Sequence, residues 1–210
     1  MRKLIPVIAA AAAAAILLFG RLGGTGVNPA DIRKIDQIPL QVTVVQKEGL
    51  APHRYIDALV TKVSDGDTVE VTYKGKVHKV RLLYIDTPES VKQGVPVQPY
   101  SSEASKFTQN MLYNKQVRLV FDKGLRDRYG RLLAHVLLKD GSYFNALLVR
   151  NGFARVEAVS PNTALKDYFL KLQESAINEK LGLWSLPENK RPFVKNNKGE
   201  YIARYLQKAN

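Results

Sequence analysis

Short runs of alternating apolar and polar residues occupy the middle of the chain from Tyr55 onward. Three such runs fill residues 56–86, where Asp65-Gly66 and Lys74-Gly75 separate them at positions that favour tight turns. Two more runs of this kind lie at 116–122 and 132–138. The pattern therefore predicts five short strands, the first three of which form an antiparallel meander.

Helical spacing of apolar residues predicts the elements between and after these strands. Residues 101–113 place Phe107 and Met111 four positions apart on one face. Asn145 is predicted to cap a short helix that ends at Gly152, and a last amphipathic helix is predicted over 163–182. Five strands with about three helices are typical of a small barrel with flanking helices, since a parallel α/β sheet would need a helix between most strands.

The two ends of the chain differ from the middle. Arg2 and Lys3 precede 16 uncharged, mostly apolar residues at 4–19, which predicts a signal peptide or an N-terminal membrane anchor over residues 1–26. Residues 27–54 are predicted as a linker or an added edge strand. Residues 188–210 carry six basic and two acidic side chains and are predicted as a basic C-terminal tail.

Composition excludes several kinds of site and favours one class of partner. Because the chain has no cysteine, disulfides, thiolate nucleophiles and iron–sulfur clusters are excluded. Three widely spaced histidines also disfavour a multi-histidine metal site. The 32 Lys and Arg residues against 19 Asp and Glu residues give a net charge of +13, which favours nucleic acid, an anionic membrane or an acidic envelope polymer as the partner.

Two acidic clusters at predicted strand ends are candidates for chemistry. Asp67 follows the first turn, for which a plain hairpin is the alternative interpretation. Arg81 stands inside an apolar strand, where a charge needs an anionic partner or a cavity. Asp86 ends that strand, the following proline holds Thr87 extended and so orients its carbonyl, and Glu89 comes three residues after Asp86. A buried arginine–carboxylate pair that only stabilises the turn is the alternative here.

A basic loop at residues 122–131 is the third candidate. It contains four basic residues, one tyrosine and two glycines, a composition that can wrap a phosphate group. A solvated turn has the same composition, so the loop alone does not decide between the two.

Taken together and in this order, the three clusters resemble the staphylococcal nuclease (thermonuclease) family. The resemblance covers residues 55–187 and includes the stretches VSDGDTV, KGKVHKVRLLYIDTPES, DRYGRLLA and SAINEKLGLWS. It implies a mainly β fold, a five-stranded OB-fold barrel flanked by about three α-helices, and Ca²⁺-dependent hydrolysis of DNA and RNA that leaves 3′-phosphate ends. The family's functional residues correspond here to the metal ligands Asp67, Asp86 and the Thr87 carbonyl, the catalytic residues Arg81, Glu89 and Arg131, and the phosphate-binding residues Arg128 and Tyr129.

The chemistry of these residue types agrees with the resemblance. Ca²⁺ prefers oxygen ligands, a glutamate such as Glu89 can deprotonate an attacking water, and arginines can offset the charge on a phosphate. The group that protonates the leaving 5′-oxygen stays open, because an arginine keeps its proton at physiological pH and is therefore a poor acid. One departure concerns the substrate base: Ala158 and Ser160 stand where the family often has two tyrosines, and base stacking is worth about 1–3 kcal/mol. We therefore expect weaker affinity for small nucleotides.

Two other functions are compatible with parts of the sequence. One is a non-catalytic OB-fold module that binds nucleic acid, and the other is an envelope protein whose basic ends hold anionic polymers. The intact set of arginines and carboxylates favours the enzyme. We expect it to be a monomer, secreted or held on the extracellular face of the cell membrane, with DNA and RNA as substrates, no protein partner, and membrane contact only through the N-terminal segment.

Overall fold

The computed structural model describes residues 32–35, 37–90, 94 and 96–209. The apolar N-terminal segment predicted over residues 1–26 lies outside this range. Within the described part of the chain, no helix combines the length and the apolar character needed to cross a bilayer.

The described residues form nine strands and four α-helices. In chain order they are α1 (Leu40–Thr43), β1 (Tyr55–Asp65), β2 (Thr68–Tyr73), β3 (Lys76–Leu82), β4 (Tyr84–Asp86), α2 (Ser101–Leu112), β5 (Gln116–Val120), β6 (Leu132–Leu137), α3 (Phe144–Arg150), β7 (Arg155–Glu157), α4 (Lys166–Asn178), β8 (Phe193–Lys195) and β9 (Tyr201–Ala203). Short 3₁₀ helices follow α4 and β9.

Five of the strands close into a barrel in the order β1-β2-β3-β6-β5. The pairings are antiparallel except between β3 and β6, whose parallel contact closes the barrel. Alternate residues of β1, namely Ile56, Ala58 and Val60, point inward and are buried, as the period of two in the sequence predicts. The predicted five-stranded barrel with flanking helices is confirmed.

The strand that the sequence predicts to run through to Asp86 is broken in the structure. β3 ends at Leu82, and the chain turns at Tyr84, whose φ of 66° lies in the left-handed region. Such a backbone costs a bulky residue about 1–3 kcal/mol and persists only where packing holds it. The buried Tyr84 ring stacks on Phe169 at a centroid distance of 5.0 Å, and its hydroxyl lies 3.2 Å from Asp122 Oδ2. The turn moves β4 out of the barrel to pair with β7.

The predicted capping role of Asn145 is wrong. Helix α3 begins at Phe144, and the Asn145 side chain is buried beneath it. Its Oδ1 accepts the Val136 N–H at 2.8 Å, and its Nδ2 donates to the carbonyls of Leu83 at 2.9 Å and Ala134 at 3.2 Å. The side chain therefore ties α3 to β6 and to the point where β3 gives way to β4.

Residues 188–210 are predicted as a basic tail, but the part of them that the structure describes, 188–209, is folded onto the domain. Strands β8 and β9 form a hairpin whose residues Phe193 and Ala203 pack with Trp184 in a second buried cluster. Two of the basic side chains bind backbone: Arg191 donates to the Leu186 and Trp184 carbonyls, and Arg204 donates to the Arg191 carbonyl.

The segment before the barrel also packs against the core. The part of residues 27–54 that the structure describes contains α1, and Ile32, Ile35 and Ile38 contact the main core. The Arg33 backbone N–H donates to Asn151 Oδ1 at 2.6 Å, which holds this segment against the end of α3.

Candidate active site

The turn between β1 and β2 is held rigidly against the end of β4. Asp65 Oδ1 accepts hydrogen bonds from the Gly66 N–H at 2.8 Å and from the hydroxyls of Ser90 at 3.0 Å and Ser105 at 3.1 Å. A Cβ at Gly66 would lie 2.8 Å from the Thr87 side chain, so only glycine allows this close approach. The Asp65 carboxylate thus supports the turn, and the next carboxylate, Asp67, is presented to the cleft.

Asp67 lies beside the two other predicted metal ligands. Its Oδ1 accepts the Thr68 hydroxyl at 2.9 Å, and its Oδ2 accepts the Thr87 backbone N–H at 3.0 Å. Because Thr87 directly follows Asp86, this bond brings the carboxylates of the β1–β2 turn and the β4 end together.

Arg81 stands between these carboxylates. Its side chain is 14% exposed, and its guanidinium forms ion pairs with Asp67 through Nη1, with Asp86 Oδ1 at 3.1 Å and with Glu157 Oε2 at 3.3 Å through Nη2. The anionic partners that a charge inside a strand requires are therefore present. A guanidinium that bridges Asp67 and Asp86 also marks a place where the protein stabilises positive charge.

Sequence reasoning missed two residues of this cluster, Arg155 and Glu157. They lie two positions apart on β7, on the face toward β4, where Asp86 pairs with Arg155 and Tyr84 pairs with Glu157. The Arg155 guanidinium contacts Asp86 Oδ2 at 2.8 Å and Glu157 Oε1 at 2.6 Å. No strand was predicted at these residues. The opposite charges two positions apart would have been a signal only within a strand, where that spacing places both side chains on one face.

Glu89 is positioned by its backbone. Its N–H donates to Gln98 Oε1 at 2.8 Å, and the Gln98 N–H donates in return to the Glu89 carbonyl at 2.9 Å. This reciprocal pair holds the residue at the rim of the cleft, where its side chain forms part of the lining.

The basic loop is organised by Asp127. Its Oδ1 accepts the backbone N–H groups of Tyr129 at 2.9 Å and Arg131 at 3.0 Å, and its Oδ2 pairs with Arg131 Nε at 2.7 Å. Burial opposes ionisation of Asp127, but the hydrogen bonds and charge of Arg131 outweigh it and hold the pKa of the carboxyl below its ordinary value. The Arg128 guanidinium lies 4.8 Å from the centre of the Tyr129 ring, which is 69% exposed. The loop therefore presents cations and one aromatic ring toward solvent.

One cleft of about 490 Å³ collects nearly all of the predicted residues. Of the eight predicted site residues, Thr87 is the one that does not line the cleft. Its side chain is buried, and its predicted role is that of its backbone carbonyl. The seven that line the cleft are Asp67, Arg81, Asp86, Glu89, Arg128, Tyr129 and Arg131. Their roles remain predictions, but the structure brings them together.

A second depression, of about 520 Å³, lies on the C-terminal hairpin. A single carboxylate, that of Glu188, lines it, and its residues Arg191 and Arg204 donate to backbone carbonyls. It lacks the convergence of carboxylates and arginines, so we place the active site in the first cleft.

The donors present suit a hard divalent cation. Among the described residues, no group of three or more Asp, Glu or His side chains is arranged to hold a metal ion. Asp67, Asp86 and the Thr87 carbonyl are all oxygen donors, the kind that Ca²⁺ takes with waters completing its shell. The contacting cluster pairs the three carboxylates with two guanidinium groups, which leaves one negative charge in excess. These residues therefore fit a Ca²⁺ ion.

A smaller depression of about 140 Å³ adjoins Arg81 and Arg131. Leu133, Val159 and Ser160 line part of it, and Ala158 does not. Ser160 therefore lines the same depression as the two arginines, and the weaker affinity for nucleotides stays a prediction.

The chain is similar to several known proteins. A family model described as staphylococcal nuclease homologue matches residues 79–186. The SPbeta prophage-derived endonuclease YokF of Bacillus subtilis (strain 168) is 46% identical over 132 residues, which cover 62% of this chain and 44% of YokF. The thermonuclease of Staphylococcus intermedius is 42% identical over 126 residues, covering 60% of this chain and 74% of that protein. Endonuclease YncB of Bacillus subtilis (strain 168) is 41% identical over 147 residues, which cover 67% of this chain and 69% of YncB. The chain thus matches less than half of the length of YokF and a larger share of the other two.

Proposed function

The chain belongs to the staphylococcal nuclease family, and on that premise we propose that it is a nuclease, a Ca²⁺-dependent phosphodiesterase that hydrolyses DNA and RNA and leaves 3′-phosphate ends. The observation that carries the proposal is the position of Arg81 in the cleft. It is held between Asp67 and Asp86, in the same cleft as Glu89 and Arg131.

The two arginines bind and polarise the phosphodiester. Arg81 and Arg131 can each donate to phosphate oxygens and offset the charge that develops there in the transition state. The side chain of Arg81 is only 14% exposed and that of Arg131 is 28% exposed, and each is already oriented by carboxylates. Both therefore lose little side-chain freedom when the substrate binds.

Glu89 acts as the general base. It orients a water for in-line attack on phosphorus and accepts its proton as the bond from phosphorus to the 5′-oxygen breaks, and the departing oxygen takes up a proton from solvent. The pairing of the Glu89 backbone with Gln98 keeps this residue at the rim. Asp67, Asp86 and the Thr87 carbonyl would hold Ca²⁺, and the bound ion would supply Lewis-acid polarisation of a phosphate oxygen. Arg128 and Tyr129, on the exposed loop, contact a neighbouring phosphate.

The rest of the proposal concerns where the protein acts. We propose that residues 1–26 direct export, so that the nuclease domain lies outside the cell as a monomer, with membrane contact only through this segment. Mass measurement of the N-terminus tests this: a chain that begins near residues 20–30 supports cleavage, and an intact Met1 on soluble cytoplasmic protein contradicts export.

A zymogram with DNA in the gel tests the activity. We expect a cleared band in the presence of Ca²⁺ and no clearing with a chelator. Tight DNA binding without cleavage in Ca²⁺ would instead identify a non-catalytic binding module. The internal use of Arg191 and Arg204 weakens the third function, an envelope protein whose tail holds anionic polymers.

The variant Glu89→Gln tests the assigned base. It keeps the size of the side chain and removes the proton acceptor, so we expect activity to fall about 10²–10⁴-fold while DNA binding in Ca²⁺ is retained. Glu103→Gln is the matched control, because Glu103 is an exposed residue in the first turn of α2. Cleavage by Glu89→Gln at the wild-type rate would show that the base assignment is wrong.

A further inference from the structure

Arg155 is a buried charged residue on the short strand β7. Its side chain is 8% exposed. The Nε donates to Asp86 Oδ2 at 2.8 Å, Nη2 donates to Glu157 Oε1 at 2.6 Å, and Nη1 donates to the Tyr201 carbonyl at 2.9 Å. Every nitrogen of the guanidinium is therefore engaged, and the group joins the β4 end to the β8–β9 hairpin.

These contacts decide how the Asp86 carboxylate is turned. Arg155 contacts Oδ2, and Oδ1 faces Arg81 on the side where Asp67 Oδ2 also contacts that guanidinium. Without the contacts from Arg155, Oδ2 would lose this partner, and the Asp86 carboxylate could rotate away from the orientation that places Oδ1 on Arg81. Arg155 thus selects the oxygen that Asp86 offers to the predicted metal site.

The C-terminal hairpin holds Arg155 from the opposite side. The guanidinium carbon lies 5.4 Å from the centre of the Phe193 ring, which is 1% exposed and belongs to the Trp184 cluster. The Tyr201 carbonyl, which accepts from Nη1, belongs to the partner strand of the hairpin. The hairpin therefore fixes the guanidinium in both position and plane.

The same hairpin also reaches the segment that carries Glu89. Gln98 Nε2 donates to the Pro192 carbonyl at 3.4 Å, and Gln98 Oε1 accepts the Glu89 N–H at 2.8 Å. The hairpin is therefore connected to the cleft in two ways, through Arg155 to Asp86 and through Gln98 to Glu89.

We propose that Arg155 is a positioning residue for the metal site and that the β8–β9 hairpin holds it in place, so that the C-terminal segment sets the affinity of the site for Ca²⁺. The inference rests on the proposed function, because it assumes that Asp67 and Asp86 bind Ca²⁺. Outer partners that orient a metal ligand typically change metal affinity 10–100-fold when they are lost.

Arg155→Lys tests the proposal, because lysine keeps the positive charge and removes the planar fork. Calorimetric titration of the full chain with Ca²⁺ should show binding about 10–100-fold weaker than in the wild type. Nuclease activity should fall at limiting Ca²⁺ and recover when Ca²⁺ is raised to saturation, a rescue that general damage to the fold would not produce. Arg118→Lys is the matched control, since Arg118 also forks onto a carboxylate, that of Asp57 at 2.8 and 2.9 Å, and stacks on the Tyr55 ring.

Hydrogen exchange in the unaltered chain gives a second readout. Because coupling between two sites is reciprocal, Ca²⁺ should slow exchange of the backbone amides that pair β8 with β9, and this protection should be lost in Arg155→Lys. If the wild type does not bind Ca²⁺, the proposed function fails. If the wild type binds Ca²⁺ but Arg155→Lys binds it equally well, or the hairpin amides do not respond, the positioning role is refuted while the nuclease proposal stands.

Discussion

Acidification is expected to destabilise the fold through His135, a buried residue of β6. The ring is 3% exposed, and its Nδ1 lies 2.6 Å from the Tyr143 hydroxyl. Burial lowers the pKa of His135 from its ordinary value of 6.5 to about 4, although the charge of Asp122 acts in the opposite direction. At about 1.4 kcal/mol for each pH unit between those two values, the folded state holds an advantage of up to about 3 kcal/mol while the ring stays neutral.

The direction of the pH effect follows from which state binds the proton more tightly. Because the folded pKa is the lower one, the unfolded chain takes up the proton first as the pH falls. The stabilisation is therefore complete above pH 6.5 and is lost progressively toward pH 4. Between about pH 7.5 and about pH 5 we expect this one residue to remove about 2 kcal/mol from the free energy of unfolding.

Urea unfolding followed by fluorescence of the single tryptophan, Trp184, measures this loss. Wild type and His135→Gln are compared at a series of pH values between 7.5 and 5, and the variant should lose about 2 kcal/mol less than the wild type over that range. His78→Gln is the control, because His78 is only partly buried on β3 and should leave most of the pH dependence in place. The same pH dependence in wild type and His135→Gln would refute the reasoning, whatever the absolute stability of the variant.

Two further predictions concern close packing and the metal site. Gly152 has a φ of 70°, and a Cβ there would lie 2.1 Å from the Leu181 carbonyl oxygen, so Gly152→Ala should destabilise the fold well beyond the about 1–2 kcal/mol of a left-handed alanine. Gly75→Ala, at a φ of 76° with nothing within 4 Å of the added Cβ, isolates that backbone cost, and equal melting temperatures for the two variants would contradict the clash. Asp86→Asn should weaken Ca²⁺ binding and DNA cleavage together, whereas Asp57→Asn, which alters the exposed ion pair with Arg118, should change neither. Mg²⁺ should substitute poorly for Ca²⁺, because it demands octahedral geometry and releases its waters reluctantly. Full activity of Asp86→Asn at wild-type Ca²⁺ affinity would remove Asp86 from the metal site.

The elements whose signals are local were predictable from the sequence. The alternation in β1 and the Asp65-Gly66 turn involve only neighbours in the chain, and so do the four-residue spacing in α2 and the glycine that follows α3. The order of the acidic turn, the strand end and the basic loop indicated the family, which the comparisons support independently.

Features that depend on a distant partner were not predictable in this way. Asn145 looked like a helix cap because its bonds to Leu83 and Ala134 exist only once α3 packs on the barrel. Tyr84 gives no local sign of a left-handed backbone, since its conformation is held by contacts with Phe169 and Asp122 from elsewhere in the chain.

Most of the residues assigned to the chemistry can be recognised in the sequence, because the residue types that bind a metal or a phosphate are known from their side chains alone. Their arrangement depends on contacts between distant parts of the chain. Arg155 is 69 residues from Asp86 in the chain, and the two meet because β7 pairs with β4. The sequence of the charged C-terminal residues is typical of a solvated tail, but in the structure Phe193 packs with Trp184 in a buried cluster. The sequence alone does not show this, because the burial of a few apolar side chains requires a surface that the rest of the fold provides.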